Sequence, residues 1–64
     1  MVRINGKDIE AAGQNLLAYL TNQEYRIDRI AIELNGTIVS RKDYDKVTLK
    51  DGDSMEIVHF VGGG

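Results

Sequence analysis

Ile30-Ala31-Ile32-Glu33-Leu34-Asn35-Gly36-Thr37-Ile38-Val39-Ser40 is the stretch that decides the fold. Ile30, Ile32 and Leu34 share one face and alternate with Ala31 and Glu33, the period of a strand with one side buried. Asn35-Gly36 follows, a pair in which both residues tolerate the positive φ of a tight hairpin. Thr37 to Ser40 then reads as the return strand.

Toward the N-terminus the same pattern recurs. Met1-Val2-Arg3-Ile4 alternates, Asn5-Gly6 repeats the hairpin signal, and Lys7 to Ala11 is the expected return strand with Ile9 facing in. Gly13 and Gln14 break the pattern. Asn15 can cap a helix to about Asn22, with Leu16, Leu17 and Leu20 on its apolar face and Tyr19 at the edge. Such a helix is too short to stand on propensity, so packing must hold it. Gln23 to Asp28 is a polar connection. Toward the C-terminus, Arg41 to Lys46 is a polar turn or a single helical turn, and Val47-Thr48-Leu49 a short apolar stretch. Asp51-Gly52-Asp53 is a further turn. The last strand runs from Ser54 to Val61, with Met55 and Ile57 on one face and Glu56, Val58 and Phe60 on the other. The order β-β-α-β-β-β predicts an α+β domain in two layers, one main helix on a mixed sheet of four to five strands. A first hairpin, one helix and a final strand returning to the sheet centre describe a β-grasp. The domain is expected over residues 1–61, with residues 62–64 as a flexible glycine tail.

Composition narrows the chemistry. A chain of 64 residues buries only roughly 60% of its unfolded surface, enough for one small core and little else. There is no cysteine and one histidine, His59, so disulfides and thiolate metal sites are excluded and a histidine-based metal site is not expected. Eight basic and ten acidic residues give a formal charge of −2, with signs interleaved as in Arg41-Lys42-Asp43. No basic stripe points to nucleic acid. The longest apolar run, Leu16 to Leu20, is far too short to span a membrane. The N-terminus has no signal-peptide pattern, so a cytoplasmic location is the default expectation.

An enzyme would need a nucleophile and a base within reach of each other. Ser40 and Ser54 are the only serines, and nothing in the sequence brings either to His59, which reads as an ordinary strand residue. Asp51-Gly52-Asp53 lacks the downstream bidentate glutamate of a calcium loop and reads as turn chemistry. The C-terminal Gly62-Gly63-Gly64 is different. Three glycines are slim when extended and reach on the order of 10 Å. They can carry the α-carboxyl, ordinary pKa about 3.3–3.7, into a partner's narrow channel as an unhindered anion. A carboxylate oxygen can attack the α-phosphate of ATP and expel pyrophosphate, and the resulting acyl-adenylate can pass to a sulfur nucleophile. The chain itself is then no enzyme and binds no cofactor, and ATP and Mg²⁺ belong to the partner. Val58 and Phe60 on the outer side of the last strand, with Val61 at the root of the tail, are the candidate docking residues. The alternative is that Phe60 closes the core.

Two segments carry a family resemblance. Asp51 to Gly64, ending His59-Phe60-Val61-Gly62-Gly63-Gly64, resembles the C-terminal signature of the bacterial thiamine sulfur carriers, the ThiS family. Arg29 to Arg41 is similar to the family's central hairpin, and the opening strand with Asn5-Gly6 also matches. Ser40 stands where family members often have proline, and Gly62 is an additional glycine before the family's Gly-Gly, which maps onto Gly63 and Gly64. The resemblance implies a ubiquitin-like β-grasp fold. It implies that a ThiF-type enzyme adenylates Gly64 with ATP and that a cysteine desulfurase supplies sulfur as a persulfide. Gly64 then becomes a thiocarboxylate that donates sulfur to thiazole synthase (ThiG). The small subunit of molybdopterin synthase shares this fold and tail chemistry. Its last strand commonly carries a Pro-Pro pair where this proline-free chain has His59-Phe60. A ubiquitin-like modifier, joined through Gly64 to a lysine, and an interaction module with an inert tail are the remaining readings.

Overall fold

The computed structural model describes residues 1–60. Two Asn-Gly hairpins flank the main helix. Strands β1 (Val2–Ile4) and β2 (Lys7–Ile9) form the first, and β3 (Ile30–Leu34) and β4 (Thr37–Val39) the second. Helix α1 (Leu16–Asn22) lies between them in sequence, and β5 (Ser54–His59) comes last. The sheet order is β2-β1-β5-β3-β4, so the last strand sits at the centre. β5 runs parallel to β1 and antiparallel to β3, and both hairpins are antiparallel. This is the expected β-grasp, a five-stranded mixed sheet with one main helix.

The hairpins form where the dipeptides predict. Asn5 and Asn35 have φ of 50° and 51°, and Gly6 and Gly36 have 83° and 84°. Both central residues of each turn are thus left-handed, which matches the turn's twist to that of the strands. Helix α1 starts at Asn15, whose side chain accepts from the Ala18 N–H at 3.1 Å. The same amide donates to the Asp45 carbonyl at 2.8 Å and ties the helix start to the segment after β4. The helix closes without glycine. Glu24 takes φ 64°, and the Tyr25 N–H reaches the Leu20 carbonyl at 3.0 Å.

The core lies between α1 and one face of the sheet. Leu16 and Leu20 from the helix meet Val2, Ile4, Ile30, Ile32, Met55 and Ile57 from the strands. Three expectations change. Tyr19 is buried and Leu17 only half-buried, because Tyr19 and Leu20 together flank the line set by Leu16 while Leu17 falls a quarter-turn away. Arg41–Lys46 is a 3-10 helix that buries Tyr44 inside an otherwise charged segment. The strands are shorter than the alternation suggested. β2 ends at Ile9, whose carbonyl accepts from the Ala11 N–H at 2.9 Å in a tight turn that sends Ala11 into the core. β5 ends at His59, which pairs with Ile30, the first residue of β3. Among the described residues no helix is long and apolar enough to cross a membrane.

Candidate functional site

Pairing with β3 sets which way each residue of β5 points. Ile32 lies across from Ile57 and Leu34 from Met55, toward the helix. Ala31 lies across from Val58 and Glu33 from Glu56, on the opposite face. In the second hairpin Glu33 also faces Ile38. Among the described residues no helix covers this outer face. Ile38 is 68% exposed, Phe60 55% and Val58 53%. Val58 lies beside the half-buried Ala31 on this face, while Ile38 stands on the edge strand in the row of Glu33 and Glu56. Phe60 therefore stands outside the core.

The last described residues are anchored on the β3 side. The Phe60 N–H donates to the Arg29 carbonyl at 2.8 Å, one step beyond the strand ladder. His59 stands on the helix side of β5 with its ring tilted against Tyr25, centroids 5.3 Å apart. Neither serine approaches it in the sheet: Ser54 begins the strand that His59 ends, and Ser40 follows β4 at the sheet edge. Asp53 is bound into its own turn, accepting from the Lys50 N–H at 2.8 Å. Val61, Gly62, Gly63 and Gly64, on which the tail and part of the docking expectation fall, lie outside the described residues.

Sequence reasoning picked out Val58 and Phe60 but passed over Ile38. The signal was present, since the register of an Asn-Gly hairpin puts Ile38 opposite Glu33 and hence outward. The role of Asn5 beyond its turn was not legible, because its side-chain partner is Ile57, far along the chain.

Residues 2–64 match the ThiS family. The chain belongs to that family. It is 38% identical to the sulfur carrier protein ThiS of Bacillus subtilis, with the whole of each chain covered. Its fold superposes on the crystal structure of thiamine biosynthesis protein ThiS from Geobacter metallireducens with a TM-score of 0.78. The two are 31% identical, over 98% of this chain and 97% of that one. It is also 38% identical to a thiazole synthase of Magnetococcus marinus, where the match covers 98% of this chain but spans only 20% of that protein's length. The expected family and its ubiquitin-like β-grasp fold are thereby established for this chain.

Proposed function

We propose that this chain is a sulfur carrier of thiamine biosynthesis and that the carboxyl of Gly64 is its reacting group. The observation that carries the reading is the family match, which extends through the glycines to residue 64. The structure contributes a frame. β5 runs at the centre of the sheet toward the tail, and the face beside it exposes Ile38, Val58 and Phe60. Apolar groups exposed together in this way suit transient docking.

In the proposed cycle a ThiF-type enzyme docks on that face and receives the tail. The Gly64 carboxylate attacks the α-phosphate of ATP, the α–β anhydride bond breaks, and pyrophosphate leaves. A cysteine desulfurase persulfide displaces AMP from the acyl carbon, and a thiol then cleaves the sulfur–sulfur bond to release the thiocarboxylate. Thiazole synthase consumes that sulfur. Support for this last partner comes from the thiazole synthase relatives, in which a segment similar to this chain shares one polypeptide with the rest of the protein. The carrier supplies a substrate and a docking surface, and the acids, bases and Mg²⁺ are the partner's. The reading puts the carrier in the cytoplasm, where ATP is at hand.

Carrier-dependent exchange of labelled pyrophosphate into ATP tests the first step. With a ThiF-type enzyme, exchange is expected with the full chain and absent when Gly64 is deleted. Equal exchange with and without the chain contradicts the proposal.

A further inference from the structure

One cross-strand pair on the outer face works against folding. Glu33 and Glu56 lie directly opposite each other on β3 and β5, where facing residues hold their Cβ atoms about 4.5–5.5 Å apart. Among the described residues no cation is paired with either carboxylate. Arg3, on the same face of β1, is paired with Asp8 at 3.4 Å instead. Like charges side by side cost stability, so the chain's own folding gives no reason for the pair.

The surroundings say what would satisfy it. Val58 and Ala31 form the next row of the same face, about 6.8 Å along the strands. Val58 is exposed and the small Ala31 beside it is half-buried, so this row is a low apolar step next to the two carboxylates. Ile38 borders Glu33 on its other side. A long side chain with an apolar stem and a cationic head fits this order, its stem over Val58 and Ala31 and its head between Glu33 and Glu56. Arginine fits better than lysine. Its planar fork donates to two acceptors at once, its guanidinium is more weakly hydrated than an ammonium, and its methylene stem covers apolar surface readily. A second copy of the chain does not fit. An isologous contact sets the same patch against itself and would crowd two carboxylates from each copy together without a cation between them.

We propose that Glu33 and Glu56 are a receptor for an arginine of the protein that docks on this face. The inference rests on the reading of the chain as a carrier adenylated by a ThiF-type enzyme. It makes that enzyme's contact surface cationic at its centre and apolar around it. Docking then relieves the carboxylate repulsion that the free chain carries.

The test is calorimetric titration of the full chain with a ThiF-type enzyme, with a urea melt of each variant beside it. Glu33→Gln and Glu56→Gln are each expected to raise Kd about tenfold, the low end of the coupling measured for close interfacial charge pairs. Their urea midpoints are expected to stay at or above the wild-type value, since each change removes a repulsion. Glu56→Asp keeps the charge and is expected to restore Kd to within about threefold of wild type. Glu10→Gln makes the same charge change at an exposed residue beyond the end of β2, and is expected to stay within about twofold, because an exposed charge outside the contact contributes little. A wild-type Kd in either Glu33→Gln or Glu56→Gln, or an equal loss in Glu10→Gln, overturns the inference alone. So does a dimer of the wild-type chain that Phe60→Asp dissociates, because a second copy then holds the face. A wild-type chain that neither binds a ThiF-type enzyme nor is adenylated by it overturns the functional reading and this inference with it.

Discussion

On the helix side of the sheet, Val2, Ile4, Ile30, Ile32, Met55 and Ile57 are all buried. One residue along the same strands, Arg3, Ala31, Glu33, Glu56 and Val58 point the other way, as does Ile38 on β4. Folding accounts fully for the first face, since burying each large aliphatic side chain contributes about 1.5–3 kcal/mol. It does not account for the second. Exposed Ile38, Val58 and Phe60 stabilise little, and Glu33 and Glu56 are like charges directly opposite each other, an arrangement that costs stability. The difference separates what the chain needs in order to fold from what is left over for a partner.

The largest effects belong to the inner face. Leu20→Ala removes a side chain with 0% exposure and is expected to cost about 2–5 kcal/mol, enough to unfold much of a domain this small. A change under about 1 kcal/mol in a denaturant melt would break the assignment of this side as the core.

Alkaline pH tests the same side without mutation. Burial raises the phenols of Tyr19 and Tyr44 above their ordinary value. A raised folded-state pKa means that their contribution is fully present below the unfolded value of about 10 and is lost as pH rises through the folded values. The midpoint of a urea melt is therefore expected to fall above pH 10. In Tyr44→Phe the fall is expected to be smaller, and an unchanged pH dependence in that variant would remove Tyr44 as a cause.

The outer face should respond in the opposite sense. Glu33→Gln relieves the cross-strand repulsion and is expected to raise stability by roughly 0.2–1 kcal/mol. A loss of stability would show that Glu33 is held by a contact the sheet register does not reveal. The smallest stability effect is expected for Val58→Asp and Phe60→Asp, within about 0.5 kcal/mol of wild type, while binding to the ThiF-type enzyme weakens clearly. A pull-down unaffected by both changes would move the docking surface elsewhere.

Much of this contrast was legible in the sequence. Period-two alternation and the two Asn-Gly pairs marked all five strands and both turns, and the alternation of the last strand put Val58 and Phe60 outside. Tyr44 was hidden because its 3-10 segment has neither strand nor helix period and carries charges around it. Tyr19 was assigned to the helix edge because the leucines drew the apolar face toward Leu17. The Asn5 amide could not be read at all, since a bond to Ile57 depends on β5 returning to the sheet centre beside β1. For the tail, glycine chemistry led to an activated carboxyl, and only the family resemblance brought in sulfur and thiamine.

Intact-mass measurement of the full chain tests the central claim most directly. After incubation with a ThiF-type enzyme, MgATP, a cysteine desulfurase, cysteine and a reducing thiol, the chain should gain the mass difference of one sulfur for one oxygen. The gain should map to Gly64 and be lost when that residue is deleted. An unchanged mass, or a series of larger conjugates through a lysine, would contradict the account.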